Sequence, residues 1–243
     1  ATLLLLVPAA RRGWGPRTVT VGATYATTMI LFVLANKLTT AASTIFLQST
    51  APLYILVLAP WLLGEHLRRR DLAFMAALAV GLGLLLVGDT APSTTAPDPA
   101  LGNLLGGASG LFWGLTIMGL RALGRTSDSG GATPVAAAAL GNLIAGAVAL
   151  PFALPMGAAR PEDWGYVLFL GTVQIGLAYV LLTRGVGGVP ALEASLLLLA
   201  EPVLSPLWAW LAHGEVPGPW ANLGGAVILL ATAVNTLGLR ARR

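Results

Sequence analysis

APLYILVLAPWLLGEHL, residues 51–67, is an apolar segment that stops at a Gly-Glu pair, and EPVLSPLWAWLAHGEVP, residues 201–217, writes the same phrase again. In each copy a proline is followed, after eleven mostly apolar residues, by Gly-Glu. Aligning the two at an offset of 150 puts Ala41 on Ala191, Leu47 on Leu197, Pro52 on Pro202, Ala59 on Ala209, Gly64 on Gly214 and Glu65 on Glu215. The apolar segments that follow, 72–88 and 219–238, fall into the same register, so the chain reads as an internal repeat.

Composition sets the solvent. The 243 residues are 56% hydrophobic and only 10% charged, with a mean hydropathy of +0.80. Soluble domains carry roughly a quarter charged residues, and a chain this poor in charge cannot cover its surface in water. The apolar segments, at about 18–37, 41–63, 72–88, 101–120, 134–155, 164–183, 191–212 and 219–238, each approach the length that crosses a bilayer. The fold class is therefore an all-α polytopic membrane protein. Residues 1–9 are too short to cross, and Arg11 and Arg12 follow them rather than precede them, so they do not read as a signal peptide. The absence of cysteine excludes disulfides and thiolate chemistry.

Alternating the spans sorts the cations. One side receives Arg11, Arg12, Arg17, Arg68, Arg69, Arg70, Arg121, Arg125, Arg184, Arg240, Arg242 and Arg243, and the other only Lys37 and Arg160. This asymmetry predicts a cytoplasmic C-terminus and accounts for the basic charge balance without nucleic acid. The same alternation puts Gly64-Glu65 and Gly214-Glu215 on opposite sides. Each repeat must then hold an odd number of spans, and the two must be antiparallel. The second half supplies five spans; the first shows three and a stub. Applying the offset to the start of the span at 101 places the start of the first repeat about fifty residues before Ala1. The expectation is a ten-helix 5+5 inverted repeat with its first helix and most of its second missing from this chain. The halves are 1–88 and 101–243, joined by a Pro- and Thr-rich connector at 89–100.

The paired pattern, a mid-helix proline, a helix ending in Gly-Glu and a further apolar helix, resembles the EamA domain of the drug/metabolite transporter superfamily. The resemblance covers nearly the whole chain. It implies a ten-helix permease of the bacterial inner membrane, with amino acids and related metabolites among the solutes such proteins export. The chain departs from the pattern at Ala51-Pro52, where the second copy has Glu201-Pro202.

Several polar residues stand where oil is expected. Glu201 lies about ten residues into its span, where an ionised acid costs at least about 2.5 kcal/mol, so it should face protein or a water path. It is a candidate for binding a substrate amine or relaying a proton; the plainer reading is an acid satisfied by backbone groups that Pro202 frees. Pro52 and Pro202 are expected to kink their helices, either to open backbone groups toward a cavity or simply to pack. Thr44 and Gln48 belong to a weakly polar stripe, with Gln48 a candidate substrate contact or interhelical glue. Tyr25, Gln174 and Tyr179 are candidates for the same cavity, and Trp113 for an aromatic wall within it. Trp61, Trp164 and Trp220, near span ends, read as interfacial anchors. Gly102, Gly106, Gly110 and Gly114 recur every four residues and predict close helix contact. The Gly-Glu pairs read as helix-end punctuation.

No nucleophile, nucleotide or metal motif is present. The sequence therefore reads as a secondary transporter, not an enzyme, with no cofactor, metal or nucleic acid partner. It would move a small solute through the bilayer, with protons a candidate coupling ion and monomer or homodimer left open. Multidrug efflux is the rival within transport, and a structural or lipid-handling membrane protein the rival outside it.

Overall fold

A computed structural model describes residues 4–6, 8–64, 69–86, 96–126, 133–153, 160–198 and, between 220 and 234, positions 220, 223, 224, 226, 227, 230, 231 and 234. Helix dominates. Two short 3-10 turns, Leu4–Leu6 and Pro8–Arg11, precede α1 (Pro16–Leu38), α2 (Ala41–Gln48), α3 (Ala51–Leu63), α4 (Arg69–Leu86), α5 (Pro99–Thr126) and α6 (Pro134–Ala153). Helix α7 (Pro161–Phe169) continues through a π-helical segment, Leu170–Leu177, into α8 (Ala178–Gly185) and a 3-10 turn at Val186–Gly188; α9 (Ala191–Leu198) follows.

Among the described residues, five stretches are long and apolar enough to cross a bilayer: Pro16–Leu38, Ser43–Leu63, Pro99–Arg125, Pro134–Ala153 and Pro161–Gly188. Leu72–Leu84 is apolar but shorter. The expected spans at 191–212 and 219–238 lie largely outside the described residues, although Ala191–Leu198 is helical. Proline opens α1, α5, α6 and α7, which suits a residue with a fixed φ and no N–H to leave unpaired. At the start of α5 the Asp98 carboxylate accepts from the Leu101 N–H at 3.1 Å and caps the helix. Helix α3 ends on Gly64, whose φ of +65° and N–H bond to the Ala59 carbonyl make a left-handed stop. The first Gly-Glu is therefore a helix terminator at its glycine; Glu65 and the second pair, Gly214-Glu215, lie outside the described residues.

The chain divides into two compact units, one of residues 1–30 with 115–191 and the other of 31–114 with 192–243. The divisions fall inside α1 and α5. In the first unit α6 packs against α8 and the N-terminal 3-10 turns, and Ala10, Val135 and Ala139 form a buried cluster flanked by Leu5 and Val180. Small residues bring its helices close. A Cβ on Gly22 would lie 3.1 Å from the Ala137 carbonyl, and one on Gly119 2.6 Å from Val21.

In the second unit the glycine stripe of α5 does what its spacing predicts. A Cβ on Gly102 would meet Thr39 at 2.7 Å, on Gly106 Leu47 at 3.1 Å, on Gly110 Thr50 at 2.5 Å and on Gly114 the Ala51 carbonyl at 3.2 Å. Hydrogen at those four positions lets the backbone of residues 38–55 lie directly on α5. Phe74, Leu78 and Leu82, four residues apart on α4, form a ridge that packs with Phe46, Leu53 and Ala231.

Pro52 does not sit in the middle of a continuous helix. Helix α2 ends at Gln48, Ser49 and Thr50 form a turn, and Pro52 occupies the first turn of α3. The cause is local. Proline lacks the N–H that would reach back to the Gln48 carbonyl, and a Cβ on Gly110 would stand 3.2 Å from that same carbonyl. The break and the glycine stripe thus meet at one point.

Candidate functional site

In the first unit, α1, α6 and α8 bring three polar side chains together. Tyr25 is 1% exposed, and its ring lies 4.7 Å from that of Tyr179, centroid to centroid, at a 49° tilt. The Asn142 amide donates to the Tyr25 hydroxyl at 3.3 Å and to the Ala138 carbonyl, one turn back on its own helix, at 2.9 Å. Tyr25 also shares a side-chain hydrogen bond with Tyr179. Gly141 makes this geometry reachable, because a Cβ there would collide with the Tyr25 ring and stand 2.7 Å from the Gly22 carbonyl. Immediately before Tyr25 on α1, the Thr24 hydroxyl accepts from Thr116 of α5 at 3.3 Å.

Phenols and an amide at membrane depth are costly unless their polar atoms are paired. Here they pair with each other, and hydroxyls and a carboxamide are groups that can each take part in more than one hydrogen bond. Two tilted rings add aromatic faces. Such a cluster can hydrogen-bond a small solute and stack against it.

The second unit carries a separate polar group. Gln48 on α2 donates to the Ser109 hydroxyl on α5 at 2.9 Å, and Tyr54 on α3 donates to the Gly107 carbonyl at 3.4 Å. Thr39 donates to the Asn103 side-chain oxygen at 2.9 Å. Thr44 is fully buried, but its hydroxyl donates to the Thr40 carbonyl at 3.1 Å within its own helix. Trp113 lies one helical turn beyond Ser109 on α5 and is half-buried.

Of the residues singled out in the sequence, the structure unites Tyr25 with Tyr179 and sets Thr44 and Gln48 on successive turns of α2. Gln174 is not drawn into the tyrosine cluster: it is exposed, within the π-helical segment. Glu201 and Pro202 lie outside the described residues. Sequence reasoning missed Asn142, Ser109 and Thr116. For Asn142 a signal existed, since a carboxamide eight residues into an apolar span is the kind of residue that marks a site. Trp61 is 88% exposed at the end of α3, and Trp164 and Trp220 are half-exposed, as anchors at the lipid interface would be.

Helices with apolar outer faces and polar groups paired between them define an all-helical, multi-pass membrane protein. The EamA-like transporter family matches residues 100–237, and the chain belongs to that family. It is 27% identical over 207 residues, 85% of this chain and 71% of the relative, to an uncharacterized transporter of Archaeoglobus fulgidus. It is 36% identical over 74 residues, 30% of this chain and 25% of the relative, to the uncharacterized transporter YwfM of Bacillus subtilis. A solved crystal structure superposes with a TM-score of 0.69 at 25% identity, over 98% of this chain and 81% of the other.

Proposed function

We propose that this protein is a secondary transporter that carries a small polar organic solute, an amino acid or related metabolite, across the bacterial inner membrane by alternating access. The observation that carries the reading is the Tyr25–Tyr179–Asn142 cluster, a set of hydrogen-bonding groups and ring faces held together between three helices of the first unit. Membership of a transporter family supports it. The halves 1–88 and 101–243 are taken as antiparallel copies of one helical repeat, the arrangement that generates two access states in such proteins. The arginine asymmetry supports a cytoplasmic C-terminus. Gln48, Thr44, Trp113 and Gln174 are further candidate solute contacts, and Glu201 is the proton-coupling acid.

Flux into proteoliposomes tests the function. The intact protein, assayed with a panel of amino acids, a nucleoside and a cationic dye, should transport at least one of them. Tyr179→Ala and Asn142→Ala should lower that flux about tenfold or more, as expected when a buried polar contact to a solute is lost. No flux for any panel member would refute transport, and preference for the dye would assign the cluster to multidrug efflux.

A further inference from the structure

The basic residues of the first unit converge on one end of it. The N-terminal 3-10 turn carrying Arg11 packs through Ala10 on Val135 and Ala139 at the start of α6, with Val180 of α8 beside them. That start also lies against the end of α5: a Cβ on Gly124 would be 2.7 Å from Gly187 and 3.6 Å from Pro134. Arg121 is buried there and donates to the Val186 and Gly187 carbonyls at 3.4 and 3.3 Å, tying α5 to the turn after α8. Around this knot Arg11, Arg12, Arg17, Arg125 and Arg184 are all exposed. Among the described residues of this unit the carboxylates are Glu162 and Asp163, at the opposite end of the 28-residue stretch 161–188; Asp128 lies outside the described residues.

The same end holds an open cavity of about 600 Å³ lined by Gly13, Trp14, Gly15, Pro16 and Arg17. Trp14 is held in place, its indole N–H donating to the Ala10 carbonyl at 2.7 Å, while half of its surface stays exposed. A fixed indole beside cations, at the end of membrane-spanning helices, matches the layer where glycerol backbones and phosphates lie.

The geometry points to a binding site for an anionic phospholipid headgroup at this cavity, with Arg17 from its lining and the exposed Arg12, next to that lining in the chain, meeting the phosphate and Trp14 packing on the glycerol region. Charge complementarity selects the occupant: the exposed arginines favour an anionic lipid over a zwitterionic one, and an apolar partner would strand them. The site is separate from the tyrosine cluster and does not depend on which solute is carried.

Native mass spectrometry of the intact protein, incubated with phosphatidylglycerol or phosphatidylcholine, tests it. The wild-type chain should retain phosphatidylglycerol preferentially, and raised salt should erode the preference. Arg12→Ala/Arg17→Ala should weaken retention about fivefold per arginine removed. Arg12→Lys/Arg17→Lys should keep most of it, and Arg160→Ala, about 40 Å away along the helix from the basic end, should change nothing. Equal retention of the two lipids, insensitivity of the wild-type preference to salt, undiminished binding in the double alanine variant, or an equal loss in Arg160→Ala would each overturn the site. Displacement of the lipid by equimolar inorganic phosphate would also overturn it, in favour of a soluble anion. If the alanine pair does not fold, the salt titration of the wild-type chain decides.

Discussion

Gly110→Ala tests the packing of the second unit most directly. The added methyl would lie 2.5 Å from the Thr50 hydroxyl and 2.7 Å from the Leu47 carbonyl, against a carbon contact optimum of about 3.5 Å or more. A threonine rotamer can move, but a main-chain carbonyl cannot without its helix. Relief therefore requires α2 and α3 to withdraw from α5 by most of an ångström. That loosens the neighbouring contacts of Gly106 with Leu47 and Gly114 with Ala51. Overpacking of this kind costs about 1–3 kcal/mol. In water, alanine would return about 1 kcal/mol through helix propensity, but a membrane helix stays helical when its neighbours separate, so little of that is recovered. Gly107→Ala, on the same helix with nothing within 4 Å of its Cβ, should lie within about 0.5 kcal/mol of the wild type. The measurement is unfolding of both variants in mixed micelles by titration with a denaturing detergent. Gly110→Ala as stable as Gly107→Ala would refute close backbone packing along the stripe.

Asn142→Leu should destabilise the first unit by about 0.6 kcal/mol and at most about 1.7, the average and upper end for interhelical hydrogen bonds in bilayers, and Tyr25→Phe should cost less in that background than alone, the remainder being its bond to Tyr179; a double-mutant cycle in the same detergent titration measures the coupling. Gly64→Ala should lower stability by about 1 kcal/mol because φ is +65°, while Gly64→Asn should recover part of the loss, read as the shift in thermal unfolding. Glu201→Gln should abolish the pH dependence of solute flux, and undiminished dependence in proteoliposomes would remove the acid from coupling.

What the sequence made legible was what depends on solvent and period. Apolar spans, tryptophans at their ends, the four-residue glycine stripe and the glycine stop at Gly64 each follow from one segment and its surroundings. The partnership of Tyr25, Asn142 and Tyr179 depends on three helices meeting, and no local spacing encodes that. Asn142 is a carboxamide in oil, but no second copy of it within the sequence draws attention to it. Gln174 reads in the sequence as sharing a cavity with Tyr179; it lies in the π-helical segment Leu170–Leu177, where the face a residue takes does not follow from the α period. Pro52 showed where α2 and α3 part, but proline acts on the carbonyl four residues earlier, so the break precedes it.

The π-helical segment has a genetic consequence. A wider turn holds about one residue more than an α turn, so an extra residue is taken up within 170–177 and the helix after it keeps its phase. Removing one residue from 170–177 and closing the segment to the α period would therefore leave Tyr179 facing nearly as it does, whereas inserting one more would turn α8 by about 100° about its axis and carry the phenol off its partner. In this stretch the residue count is itself a determinant: one-residue deletions should be tolerated better than one-residue insertions.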